Sequence, residues 1–180
     1  MLRIAKVHEA ELVKKFDEMS NLPKLRYAFP GFLEFPAVQD NDWNNIIRVS
    51  MNSSGEVLGY LNAHVSRSAN KIANLTLVGF SESLSDKKIF ELDLLEFLKF
   101  LLTEFYKVTW SVCARNPVKN SYDKLITALK GRVVGTFKDE FLIFGEREDE
   151  VWYELISKQS LPYLDEIIEA RKVRLQNGKK

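Results

Sequence analysis

Cysteine and histidine are scarce in this chain of 180 residues, which contains one cysteine and two histidines. The single cysteine, Cys113, excludes an intramolecular disulfide framework and any zinc cluster built from cysteines. The histidines, His8 and His64, are far apart and do not form a metal-ligand spacing. We therefore expect a protein of a reducing compartment, the cytoplasm, with no metal site.

Net charge and uninterrupted apolar runs are also nearly absent. The formal net charge of +1 gives the chain no general attraction to nucleic acid or to an anionic membrane. The most apolar stretch, residues 89–105, contains Glu91, Asp93, Glu96, Lys99 and Glu104, so it does not read as a membrane span. No signal peptide is visible, because charged residues follow the first apolar ones at once.

A basic segment follows Glu169 and contains Arg171, Lys172, Arg174, Lys179 and Lys180. Such a segment can contact nucleic acid. The simpler interpretation, which we favour, is a solvated end whose positive charges complement a helix C-terminus.

The central part of the chain predicts a strand, a polar loop, a helix and a second strand. Residues 71–80 and 107–114 have β-forming character, and residues 89–105 carry apolar side chains at nearly every helical position. A helical crossover of this length implies parallel pairing of the two strands. Ser85 or Asp86 is predicted to cap the helix, and the loop at 81–88 occupies a place where an anionic cofactor can bind.

Around this unit the pattern predicts an opening strand and helix, a three-strand antiparallel meander, a later helix, a second hairpin and a final helix. Gly131 is predicted to end the later helix, and Asp139-Glu140 to turn the second hairpin. The predicted bounds are 2–7 for the opening strand, 8–19 for the first helix, and 46–51, 57–65 and 71–80 for the meander. They are 120–130 for the later helix and 132–138 and 141–144 for the second hairpin. Residues 151–156 are predicted as a further strand and residues 160–176 as the last helix. Residues 20–45 are rich in proline and phenylalanine, which fits either a binding loop or a segment that covers the core.

Three segments resemble the GNAT-type, acyl-CoA-dependent N-acyltransferases: residues 115–125, residues 129–135 and the acidic, tyrosine-containing run 149–155. The order of predicted elements also matches that family over residues 1–157, with residues 158–180 as an additional amphipathic helix and basic tail. The resemblance implies an α/β (α+β) fold with a mixed, mostly antiparallel sheet, a splayed parallel strand pair and flanking helices. It implies a cytoplasmic enzyme that transfers an acetyl group from acetyl-CoA to a small-molecule or protein amine by direct attack in a ternary complex.

The sequence departs from the family at the phosphate-binding loop. The family places a glycine-rich signature between the fourth strand and the central helix, whereas residues 80–88 contain no glycine and include Glu82 and Asp86. Glycines allow the backbone to approach a phosphate closely, and two carboxylates repel it. The alternative function is therefore a non-catalytic binding or structural module of the same fold that has lost efficient CoA binding.

The resemblance also implies roles for particular residues. Tyr122 is the candidate acid for the departing thiolate, although a tyrosine on a helix also commonly packs under a sheet. The candidate cofactor contacts are the strand backbone at Leu75, Leu77 and Val78, the loop residues Ser83, Ser85, Lys87 and Lys88, and Asn116. As the residue before Pro117, Asn116 equally fits a simple helix-entry turn.

Tyr60, Asn62 and His64 alternate along one strand, so their side chains share a face. If that face binds the acceptor, His64 is a candidate base and Glu34 a candidate contact for the amine, although a strand histidine is more often a surface residue. Cys113 has no neighbouring histidine in the sequence, so we interpret it as a buried thiol. The apolar stripe Leu164, Ile167 and Ile168 fits docking either on the domain or on a second subunit as a homodimer.

Overall fold

The computed structural model describes residues 1–19 and 43–177. Residues 20–42, with Glu34, and the last lysines, Lys179 and Lys180, lie outside this part of the chain. Within the described ranges the strands are β1 Leu2–Ile4, β2 Asn45–Met51, β3 Val57–Ser66, β4 Lys71–Gly79, β5 Lys107–Cys113, β6 Arg132–Ile143 and β7 Glu146–Ile156. The α-helices there are α1 Glu9–Met19, α2 Leu84–Glu104, α3 Lys119–Ala128 and α4 Ser157–Asn177.

The seven strands form one sheet in the order β1-β2-β3-β4-β5-β7-β6. Neighbouring strands pair antiparallel except for β4 and β5, which are parallel. The fold class predicted from the sequence is therefore confirmed, including the meander of β2, β3 and β4 and the helical crossover between β4 and β5.

Helix α1 covers one face of the sheet. Its buried Leu12 and Phe16 pack with Val49, Tyr60 and Val78 in one apolar cluster. Phe16 meets the Tyr60 ring edge to face, with the ring centroids 5.4 Å apart. The spacing of these apolar residues places them on one face of α1, as in an amphipathic helix.

The larger cluster contains buried residues of α2, α3 and α4 together with those of the central strands. Leu164 and Ile168 of α4 are fully buried in it, so the apolar stripe of the last helix packs on its own chain. A homodimer through this helix remains a prediction, and it would have to use the other faces of α4. Three ion pairs also join α4 to α2, namely Lys99–Asp165, Arg171–Glu91 and Lys172–Glu96.

The hairpin predicted at Asp139-Glu140 is wrong. Strand β6 continues through these residues as an irregularity in which Asp139 has a φ of 58°, and it turns only at Phe144 and Gly145, whose φ values are 52° and 83°. Residues 146–156 then form one long strand, β7, along β6. As the last strand of the sheet, β6 leaves Val133, Val134, Phe137 and Leu142 exposed.

Several predicted boundaries also shift. The first strand ends at Ile4 and a 3-10 turn occupies Ala5–His8. Helix α2 begins at Leu84 after Ser83 as its N-cap, so the predicted caps Ser85 and Asp86 lie inside its first turn. Lys130, rather than Gly131, takes the left-handed conformation after α3.

Gly131 is nevertheless held tightly. Its N–H donates to the carbonyl of Ile126 at 2.9 Å, and a Cβ at this position would lie 2.7 Å from the backbone oxygen of Glu154 and 2.6 Å from Leu155 Cδ2. The glycine is therefore required by close packing between α3 and β7, because a side chain has no space there.

Candidate functional site

The parallel strands β4 and β5 separate after a very short contact. They pair only at Lys71 with Lys107 and at Ile72 with Val108. The hydroxyl of the buried Thr109 lies 2.9 Å from the carbonyl of Ile72 and 3.0 Å from that of Ala73. A side chain therefore takes the place of a strand partner at the point where the two strands part, and the sheet opens beyond it.

The backbone of β4 alternates between its two neighbours beyond this point. Phe80 donates its N–H to the carbonyl of Leu58 on the β3 side at 2.8 Å. Because backbone groups of an antiparallel strand alternate in direction, those of Val78 also face β3, and those of Leu77 and Leu75 face the opening. Of the three predicted backbone contacts, two are thus directed toward the opening and one is paired within the sheet.

The loop before α2 satisfies its own polar groups. Ser81 donates its hydroxyl to Asp86 at 2.8 Å, and the hydroxyls of Ser83 and Ser85 lie 2.7 Å apart. The ammonium of Lys87 pairs with Glu82 at 2.7 Å. Serine hydroxyls and a lysine that would otherwise contact a phosphate are therefore engaged with neighbours in the loop.

Lys88 is exposed, and no ion pair of Lys88 occurs within residues 1–19 and 43–177. Lys88 lies near the start of α2, beside this loop, and its ammonium remains available for an anion. Beyond Ile72 and Val108 the backbone of β4 has no pairing with β5, and the acids of the loop occupy donors that a pyrophosphate would need.

Tyr122 projects from α3 into an aromatic cluster. Its ring meets those of Trp110 and Tyr153 edge to face, with centroid distances of 5.8 Å and 6.0 Å. Burial raises the pKa of the Tyr122 phenol above its ordinary value, so the hydroxyl stays protonated at neutral pH. Leu75 of β4 belongs to the same apolar cluster as Tyr122.

Tyr153 is held differently from Tyr122. Its hydroxyl donates to Asp123 at 2.7 Å, and Asp123 also pairs with Lys119 at 2.7 Å. The hydrogen bonds from Lys119 and Tyr153 lower the pKa of Asp123. The hydroxyl of Tyr153 therefore has a fixed hydrogen-bond partner in Asp123.

Asn116 and Cys113 lie just after the opening, at the end of β5. The side-chain oxygen of Asn116 accepts the N–H of Val118 at 3.0 Å, which forms the entry turn of α3. Cys113 is buried, and burial raises the pKa of its thiol. A buried thiol with a raised pKa is a poor nucleophile, which agrees with its interpretation as a packing residue.

His64 lies on the α1 face and is exposed. Its Nδ1 lies 3.4 Å from the side-chain oxygen of Asn45. Tyr60 and Asn62 precede it on the same face of β3, and both are more deeply buried than His64. The structure therefore separates the predicted residues into a group around the opening, a group in the loop and a stripe on β3.

The sequence reasoning did not identify Thr109, Trp110 or Tyr153 as part of the site. Thr109 alternates with apolar residues in its strand as Lys107 and Ser111 do, so the sequence pattern carried no signal that singled it out. Among the described residues no group of three or more His, Cys, Asp or Glu side chains is placed to hold a metal ion. No helix in that part of the chain is long and apolar enough to cross a membrane.

The described fold is thus a mixed sheet whose parallel strand pair separates after two paired positions, with a crossover helix between the two strands. No protein-family model matches the chain, and no curated protein matches its sequence.

Solved structures do match. A GCN5-related N-acetyltransferase from Brucella melitensis is 13% identical with a TM-score of 0.65, over 94% of this chain and 80% of that one. The spermidine N-acetyltransferase from Vibrio cholerae in complex with CoA and spermine is 14% identical with a TM-score of 0.63, over 89% and 97% of the two chains. A probable acetyltransferase of the GNAT family from Chromobacterium violaceum is 14% identical with a TM-score of 0.63, over 88% and 87%.

At these identities the likeness establishes the fold. The chain has the GNAT N-acyltransferase fold, as the sequence resemblance implied.

Proposed function

We propose that this protein is an acetyl-CoA-dependent N-acetyltransferase that acts on an amine by direct attack in a ternary complex. The observation that carries the proposal is the opening between β4 and β5, which is lined on one side by backbone groups of Leu75 and Leu77 without a strand partner from β5. In this fold an extended arm can add to β4 as an additional strand does.

Acetyl-CoA, when bound, supplies an activated acetyl thioester. The backbone of Leu75, Leu77 and Val78 forms the strand along which its arm lies in this proposal. Asn116 contributes from the end of β5. In this proposal the phosphates contact Ser83, the N-cap of α2, and Ser85, Lys87 and Lys88 at the start of that helix. Of these residues, Lys88 has no ion pair with another described residue.

Tyr122 is the proposed acid for the leaving thiolate. Since burial raises the pKa of Tyr122, transfer activity is expected to show no alkaline loss near pH ~10, where a free tyrosine ionises. The variant Tyr122→Phe is expected to bind acetyl-CoA as wild type does and to lose about 100-fold in kcat. The exposed Tyr106→Phe is the matched control and is expected to retain full activity.

The acceptor is proposed to be a small amine. A small amine fits because one solved structure with the same fold is described with spermine bound. A protein amine is the other acceptor that the sequence allows, and a competition between small amines and peptide amines would separate the two.

Calorimetric titration with acetyl-CoA tests the proposal directly. We expect saturable binding in the micromolar to millimolar range, weakened by the acids of the loop. The absence of any heat of binding at millimolar acetyl-CoA would contradict an acetyl-CoA-dependent activity.

A second candidate function has an observation of its own. The pairs Lys87–Glu82 and Ser81–Asp86 use the loop's donors internally, which favours a non-catalytic module of the same fold. That reading predicts that no acetyl-CoA is bound and that Tyr122→Phe changes only stability. Measured turnover of any amine by wild type would exclude it.

A further inference from the structure

The last helix, α4, runs antiparallel to α2. Asp165, in the first half of α4, pairs with Lys99 in the second half of α2 at 2.6 Å. Arg171, farther along α4, pairs with Glu91 near the start of α2 at 2.7 Å. The second half of α4 therefore passes beside the beginning of α2, the helix that follows the proposed phosphate loop.

Two exposed cations lie one helical turn beyond the Arg171–Glu91 ion pair. Lys88 precedes Glu91 by three residues on α2. Arg174 follows Arg171 by three residues on α4. Residues three apart on a helix are neighbours on its surface. Because the two helices run in opposite directions, both displacements lead toward the start of α2, and Lys88 and Arg174 lie at the same end of the contact.

Neither of these cations has an ion pair within residues 1–19 and 43–177. The basic side chains next to them in the sequence are instead paired with acids, namely Lys87, Arg171 and Lys172. Two like charges without a counter-ion repel each other, and an anion held between them removes this repulsion. This end of the α2–α4 contact is therefore suited to a bound anion.

The chemistry of the two side chains favours a phosphate group. A guanidinium can donate two parallel N–H groups to phosphate oxygens, and a lysine ammonium adds a point charge. Both Lys88 and Arg174 are exposed. A phosphate can therefore bind on the surface between the two helices, and no buried cavity is needed.

We propose that Lys88 and Arg174 together bind a phosphate group of coenzyme A, so that the last helix takes part in cofactor binding. The inference rests on the proposed function for the identity of the carrier. Helix α4 lies outside residues 1–157, to which the family resemblance extends. In the loop before α2 the acids Glu82 and Asp86 engage neighbouring donors. The two cations thus supply, from outside the loop, the charge that the loop lacks.

Calorimetric titration with three probes tests the proposal: acetyl-CoA, inorganic pyrophosphate and adenosine 3′,5′-bisphosphate. Wild type, Lys88→Gln, Arg174→Gln and the double variant are titrated at low and at high ionic strength. We expect each single substitution to weaken acetyl-CoA binding by about three- to fivefold at low salt, and the double variant by about tenfold or more. The loss is expected to shrink at high salt. The phosphate probe that is weakened identifies which phosphate of the carrier is held.

Controls separate the position of the charge from its amount. Arg174→Lys retains the charge and is expected to bind acetyl-CoA within about twofold of wild type. Lys158→Gln removes an exposed lysine at the other end of α4 and is expected to leave binding unchanged. Lys88→Gln and Arg174→Gln are expected to melt close to the wild-type temperature, because neither side chain has an ion-pair partner among the described residues.

The outcomes are distinct from those of the proposed function. If acetyl-CoA does not bind wild type while a phosphate probe binds and is weakened by both substitutions, the activity is wrong and the phosphate site stands. If the variants bind acetyl-CoA as tightly as wild type, the site is wrong and the activity stands. An equal loss in Lys158→Gln, or a lowered melting temperature without a salt-dependent loss of binding, would also overturn the site. Failure of all three probes to bind wild type would overturn both proposals.

Discussion

Replacing Thr109 with valine tests how the opening in the sheet is held. The substitution keeps the shape of the side chain and removes the hydroxyl, whose oxygen lies 2.9 Å and 3.0 Å from the carbonyls of Ile72 and Ala73. Thr109 is only 7% exposed, so water cannot readily take over these contacts.

The expected loss of stability follows from these contacts. One hydroxyl proton shared between two carbonyls is worth about 1 kcal/mol, and a buried carbonyl left without a donor adds about 1–2 kcal/mol. The free energy of unfolding is therefore expected to fall by about 2–3 kcal/mol. For a chain of this size that corresponds to a decrease in Tm of roughly 4–12 °C.

Urea denaturation of wild type and Thr109→Val measures this difference. The matched control is Thr103→Val, because Thr103 makes the same type of bond to the carbonyl of Lys99 at 2.8 Å but is exposed on α2. The free energy of unfolding of this control is expected to stay within about 0.5 kcal/mol of the wild-type value. Equal midpoints for the two variants would refute the argument that the Thr109 hydroxyl fixes the point of separation.

Three further predictions concern packing, pH and charge. Gly131→Ala is expected to lower the free energy of unfolding by about 1–3 kcal/mol, because the added Cβ would meet backbone atoms. Gly135→Ala is the control and is expected to leave the melting temperature unchanged in the same thermal melts, because nothing lies within 4 Å of its Cβ position. Burial acts to raise the pKa of Glu154, but hydrogen bonds from two basic neighbours outweigh it and the pKa is lowered. The carboxylate therefore stabilises the fold above pH ~4.5 and loses this effect as the pH falls through its folded-state pKa. Glu154→Gln is expected to be less stable than wild type at pH 7. A difference in unfolding free energy between the two proteins that did not narrow in acid would contradict this. Removing both loop acids, Glu82→Gln with Asp86→Asn, is expected to tighten acetyl-CoA binding several-fold at low salt, less so at high salt, as titrations at two ionic strengths would show.

The central unit of the fold could be predicted because its signals are local. Residues 71–79 and 107–113 alternate as strands do, and the intervening apolar helix fixes their parallel direction by its length. The same reasoning placed the hairpin of β2 and β3 around the glycine-containing loop, and the paired strands match it.

The second hairpin was misread because two acidic residues at 139–140 resemble a turn. The chain there forms a strand irregularity, and the true turn at Phe144-Gly145 directly follows an apolar run that conceals it. The start of α2 was placed too late for a related reason. Residues 84–88 are mostly exposed, so helical residues with polar side chains were interpreted as loop.

The site was only partly predictable because its geometry depends on tertiary contacts. Position in the sequence was sufficient to select Tyr122 as a candidate, but not to show its contact with Trp110 and Tyr153. The point at which β4 and β5 part is set by Thr109, and its two acceptors are more than thirty residues away in the chain.

Strand β6 has a consequence for how the molecule behaves in a crowded solution. A long edge strand with exposed valine and phenylalanine side chains is ordinarily a template for aggregation. Here two breaks in register, at Val133/Gly135 and at Phe137/Phe141, divide it into short pieces. We therefore expect an incoming strand to pair with one piece without continuing in register into the next, which would limit the growth of a sheet from this edge.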